Sequence, residues 1–149
     1  MPIEAPFPEH NAYLAVFLSW FISQLAKVIK GSQQEKRFNF RWLFDTGGMP
    51  SSHSATVSSL ATVTGLYFGF HSVIFLIVLI FTVIIMFDAA GVRRNVGKQA
   101  VILNKMLDEL SEKGQVQDKR LKELLGHTPV EVFAGAFLGI IVAYLLCGI

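Results

Sequence analysis

The chain has 149 residues, 52% of them apolar and only 16% charged, with a formal net charge of +2. This composition excludes a disordered chain and lies far from that of an ordinary water-soluble domain, and the charge is too small for a nucleic-acid binder. The length is that of one membrane-embedded domain over residues 1–149, and the single Cys147 cannot close an internal disulfide, so cysteine usage says nothing about compartment.

A helix crossing hydrocarbon needs about 20 mostly apolar residues. Residues 12–29 are the first candidate, with Gln24 and Lys27 near the end, where a lysine can snorkel. The segment before it has Glu4 and Glu9 but no Lys or Arg, unlike a secretory signal peptide. Residues 30–49 mix basic and aromatic side chains without a period, which predicts an interfacial loop. Residues 54–70 are rich in Ser, Thr, Ala and Gly, the composition of a helix packed against others rather than against lipid. A turn at 69–72 leads to residues 73–87, the most apolar run of the chain. Between 95 and 125, Val96, Ala100, Leu103, Leu107 and Leu110 recur every three to four residues, Gly114 interrupts, and Leu121, Leu124 and Leu125 resume. That pattern predicts an amphipathic helical hairpin lying on the membrane or on a partner subunit. Residues 130–149 form the last apolar run, with Gly135 and Gly139 spaced for close helix contact. The fold class expected is all-α: an integral membrane bundle of about four transmembrane helices plus a cytoplasmic amphipathic hairpin.

All thirteen Lys and Arg fall in two windows, residues 27–41 and 93–122. The positive-inside rule puts both windows on the cytoplasmic side of a bacterial-type inner membrane or its equivalent, and four spans then put both termini on the other side. Each window adjoins a polar motif containing a histidine, so His53 and His127 share one membrane face. His10 and His71 fall at the opposite ends of their helices, without companions.

In the first motif, Gly47-Gly48-Met49-Pro50-Ser51-Ser52-His53, either Ser51 or Ser52 is a natural N-cap. The helix N-terminus behind it offers N–H groups and a positive dipole end to an anion. Alone, the motif reads as a capped helix start. In the second motif, Thr128-Pro129-Val130-Glu131 is a capping box. Glu131 therefore either satisfies the Thr128 N–H or orients His127, which precedes the cap and has no structural duty visible in the sequence. Asp88 ends a very apolar helix and needs a cationic partner; Arg93 and Arg94 are within two turns and serve either as topology determinants or as phosphate clamps. Lys27, Lys30, Lys36, Arg37 and Arg41 complete the cationic set, and Lys27 is singled out because it is still on the first helix.

Pro50-Ser51-Ser52-His53 resembles the Pro-Ser-Gly-His signature of the type 2 phosphatidic-acid phosphatase superfamily, which includes the vanadium haloperoxidases. Residues 47–55, 87–94 and 126–132 together look like the small divergent integral-membrane branch of that superfamily, and the resemblance covers nearly the whole chain. It implies cleavage of a phosphate ester or diphosphate with no metal or other cofactor. It also implies His127 as nucleophile, the acid four residues on (here Glu131) as its orienting group, His53 as the acid that protonates the leaving oxygen, and Ser51 and Ser52 as donors to the phosphoryl oxygens. Lys30 and Arg37 keep the spacing of the superfamily's first motif, with Phe38 in place of its proline, and Lys27 competes for that role. Leu121 stands where the third motif carries arginine, which leaves Arg93 or Arg94 to fold back into the site, and Ser52 replaces glycine.

The function expected is a membrane-embedded hydrolase acting on a lipid or isoprenyl phosphate at the cytoplasmic face. Its phosphate binders are Ser51, Ser52, Arg93, Arg94, Lys27, Lys30 and Arg37, supported by Asp88. The bilayer is its surrounding partner, a homodimer would complete a short bundle, and no nucleic-acid partner is expected. The alternative is a non-catalytic module binding anionic lipid headgroups through the same cations; a metal enzyme using Asp88, His53, His127 and Glu131 ranks last.

Overall fold

A computed structural model describes residues 6–35, 48–112 and 127–148, with the side chains of residues 34, 35, 92–94, 111 and 112 left out. Helix α1 spans Glu9–Glu35, α2 Ser52–Phe68, α3 Val73–Ala90, α4 Val92–Glu112 and α5 Pro129–Cys147. All described elements are helices, as expected. The predicted loop from residue 30 is shortened because α1 continues through Lys30-Gly31-Ser32-Gln33-Gln34-Glu35. Falling hydropathy marks where a chain leaves hydrocarbon, whereas Lys, Gln and Glu are good helix formers and need not end the helix there.

Helix α2 is the centre of the bundle. It packs against α1, α3 and α5, while α1 and α3 do not touch each other. Its Ser, Thr and Ala side chains are small enough for close approach, and their hydroxyls bond back to helix carbonyls, as Thr62 Oγ1 does to Ser58 (2.8 Å) and Thr64 Oγ1 to Leu60 (2.8 Å). Two hydroxyls pin neighbouring helices: Ser58 Oγ donates to the Ala136 carbonyl of α5 (3.1 Å) and Thr82 Oγ1 of α3 to the Val57 carbonyl (3.1 Å). In an apolar surround, such bonds and close packing replace the hydrophobic drive that lipid tails do not supply.

Gly135 and Gly139 set the α2–α5 distance. A Cβ at Gly135 would lie 2.2 Å from the Ser51 carbonyl oxygen, and one at Gly139 2.1 Å from that of Ala55. The helices therefore meet backbone to backbone, which only glycine permits.

The bundle is tied at both ends. At one end, Asn11 Nδ2 donates to the Leu146 carbonyl (3.0 Å), Tyr67 bonds Glu9 (3.3 Å) and Phe7 packs edge-on against Tyr67. At the other, the C-terminal part of α1, the start of α2, the end of α3 and the start of α5 converge. Helices α1, α3 running into α4, and α5 are long and apolar enough to cross a membrane; α2, at 17 residues, is shorter but reaches from one tied end to the other.

The ladder nearly continues through Gly91, whose N–H bonds the Phe87 carbonyl (2.8 Å) and whose carbonyl accepts from Asn95 (3.0 Å). Helix α4 then leaves the bundle, packing on α3 among the described elements, with Val96, Leu103, Met106 and Leu110 exposed. It is the first arm of the expected hairpin; the second, with Leu121, Leu124 and Leu125, lies outside the described residues.

Candidate active site

The converging end carries the two histidines. Ser51 is the N-cap of α2: its hydroxyl accepts from the Ser54 N–H (3.4 Å) and from the Ser54 hydroxyl (3.1 Å). Its own N–H donates to the Glu131 carbonyl of α5 (3.0 Å), directly beneath Gly135. Ser51 thus joins α2 to α5, and its hydroxyl oxygen accepts the capping bonds. Ser52, one residue on, turns toward α1 and accepts a hydrogen bond from Lys27 Nζ at 3.1 Å.

Lys27 is 4% exposed, so its cation is held inside the bundle beside the N-terminus of α2. Gly48 has φ +88°, and a Cβ built there would lie 3.8 Å from Lys27 Cγ. The left-handed conformation favours glycine and places Gly48 beside the Lys27 stem. Of the rival cations, Lys30 is exposed, Arg37 lies outside the described residues, and Arg93 and Arg94 belong to α4 with side chains outside the description. Asp88 is exposed at the end of α3.

The capping box at α5 is complete. Thr128 Oγ1 accepts from the Glu131 N–H (3.4 Å) and Glu131 Oε2 accepts from the Thr128 N–H (3.1 Å). The same Oε2 stands 3.1 Å from His127 Nδ1. One Glu131 oxygen therefore both caps the helix and lies within hydrogen-bond distance of the imidazole. A residue that precedes the cap is expected in water, yet His127 is fully buried. Its backbone N–H donates to the Ala89 carbonyl (3.2 Å), which docks the start of α5 on the end of α3. Nothing in the sequence marks Ala89 for this role, since any residue supplies a carbonyl; the contact exists only in the tertiary fold.

His53, in the first turn of α2, faces His127 with ring centroids 6.1 Å apart and planes at 65°. The structure thus brings His53, His127, Glu131, Lys27, Ser51 and Ser52 to one end of the bundle and leaves Lys30 and Asp88 at its surface. His10 and His71 are exposed at their helix ends. Among the described residues no three His, Cys, Asp or Glu side chains form a metal-ligand set.

An all-helical membrane protein with a buried lysine and two facing histidines at one end of its bundle is the class these features define. The chain belongs to the Divergent PAP2 family, whose pattern matches residues 9–142. It is 41% identical, over 135 residues covering 81% of this chain and 85% of the relative, to the "Uncharacterized membrane protein YuiD" of Bacillus subtilis (strain 168). No solved structure matches it.

Proposed function

We propose that the protein hydrolyses the phosphate ester or diphosphate of a membrane lipid or isoprenoid without a metal. One observation carries this reading: a fully buried His127 paired through Nδ1 with Glu131 at 3.1 Å and facing His53. A carboxylate at Nδ1 holds the proton there and puts the imidazole lone pair on Nε2, the arrangement a nucleophile needs. Ring centroids 6.1 Å apart put both imidazoles within reach of one phosphoryl group, one to attack and the other to protonate the leaving oxygen.

In the first step His127 Nε2 attacks phosphorus, an N–P bond forms, and the P–O bond to the lipid breaks. The leaving oxygen takes a proton from His53. Water then attacks the phosphohistidine, gives a proton back to His53, and releases inorganic phosphate and free His127. Lys27, Ser52 and the N-terminus of α2 stabilise the charge on the phosphoryl oxygens. Arg93 and Arg94 are the further cations of this reading, and the basic windows face the cytoplasm.

The test is phosphate release from a panel of lipid and isoprenyl phosphates by the purified protein, with and without chelator. The reading expects release that chelator leaves unchanged. Activity lost in chelator and restored by one divalent ion would overturn the metal-free mechanism; salt-dependent binding with no release would favour the headgroup-binding module.

A further inference from the structure

The proposed mechanism has a direction, and the bundle has an opening on the corresponding side. Because α1 and α3 do not touch, one strip of the central helix is left uncovered. Up to its last turn, the residues of α2 that are not buried are His53, Thr56, Val57 and Leu60, and Leu60 is 43% exposed. The spacing puts all four on one helix face. Beside this strip, α1 and α2 enclose an apolar groove of about 420 Å³, walled by Val16, Phe17 and Trp20 and floored by Thr56, Leu60 and Val63. Thr56 contributes no free hydroxyl to it, since its Oγ1 donates to the Ser52 carbonyl (2.7 Å). The groove's floor on α2 starts at Thr56, one turn past His53, and runs to Val63, about 10 Å at 1.5 Å per residue.

An in-line displacement sends the leaving oxygen away from the nucleophile, toward the acid that protonates it. The hydrocarbon is attached to that oxygen. Resting on the functional reading above, we infer that this groove holds the hydrocarbon chain of the phosphate ester, admitted sideways from the bilayer between α1 and α3. The groove starts one turn along α2 from His53, the residue that protonates the leaving oxygen, and offers the chain mostly apolar walls.

Moving a chain from lipid into such a groove brings no hydrophobic gain, because lipid tails are equally apolar. Recognition is therefore by fit, and filling the groove is the informative change. The binding arm uses Trp42→Phe, which leaves Trp20 as the only tryptophan, with alkyl phosphonates brominated near the chain end. Saturable quenching of Trp20 by the dodecyl compound, competed by unbrominated dodecyl phosphonate and not by dodecanol, is expected. Quenching that never saturates, or that dodecanol competes equally, identifies ordinary bilayer lipid and overturns the inference.

The kinetic arm compares dodecyl with butyl phosphate in the wild type and in Val16→Phe/Leu60→Phe. The dodecyl-to-butyl ratio of kcat/KM should fall at least tenfold in the variant while butyl phosphate turnover persists. Partition into detergent cancels from that comparison. A ratio unchanged by the substitutions overturns the groove and leaves the hydrolase reading intact. Absence of turnover on either ester overturns the hydrolase reading, and the fluorescence arm then decides the groove by itself.

Discussion

Gly135→Ala is the substitution whose consequence the packing specifies most closely. The added Cβ would sit 2.2 Å from the Ser51 carbonyl oxygen and 3.1 Å from the Ser51 nitrogen. Ordinary contact begins near 3.4 Å, so α5 and the Ser51 turn must part by 3.4 − 2.2, or about 1.2 Å. Overpacking of this kind costs about 1–3 kcal/mol, and alanine recovers about 1 kcal/mol of helix propensity, so the loss prevails. The displaced groups include the Ser51 N–H···Glu131 carbonyl bond, which sets where His127 lies relative to His53. Misplacement of reacting groups by about 1 Å costs on the order of a hundredfold in rate. Gly139→Ala is the matched comparison: its Cβ would lie 2.1 Å from the Ala55 carbonyl oxygen, one turn deeper. Both variants should melt earlier in detergent, and Gly135→Ala should lose far more phosphate release. Equal losses of activity at equal losses of stability, or a Gly135→Ala protein that melts like the parent, would refute this reasoning.

Lys27→Met replaces a buried cation by an apolar side chain of similar reach. KM for a phosphate ester should rise tenfold or more in the folded variant; an unchanged KM would remove Lys27 from the phosphate site. Glu131→Gln keeps an oxygen for the Thr128 N–H, so melting should not change, whereas turnover should fall by roughly two to four orders of magnitude if the carboxylate orients His127. For topology, in a Cys147→Ser background, a cysteine at Glu4 should react with an impermeant reagent from outside the cell and one at Gln115 only after permeabilisation; the reverse pattern would contradict a cytoplasmic site.

What the sequence made legible follows the range of the forces involved. Helix bodies and the capping box depend on local hydropathy and on residues within one turn, so α2, α3, α5 and the Thr128–Glu131 pair were readable from composition and spacing. The small-residue contact was readable too, because glycines four apart have few other uses in an apolar helix. The burial of His127 was not, since it depends on the Ala89 carbonyl almost forty residues away, and a backbone acceptor leaves no trace in residue type. Nor was the choice of Lys27 over Lys30 decided by charge: three residues along α1 turn one ammonium inward to Ser52 and leave the other exposed. The exposure of Leu60 was not legible either, because it depends on α1 and α3 standing apart on either side of α2.

The central claim is that His127 is the nucleophile of a phosphate-ester hydrolase, and the most direct measurement is phosphate release by the wild type against His127→Ala and His127→Gln. Because His127 is fully buried, both variants are first compared with the parent by melting, and the better folded one is assayed. The account predicts that the wild type cleaves a long-chain lipid phosphate and that the folded variant loses several orders of magnitude of that rate. A folded His127 variant that cleaves the same substrate at the parent's rate would contradict it.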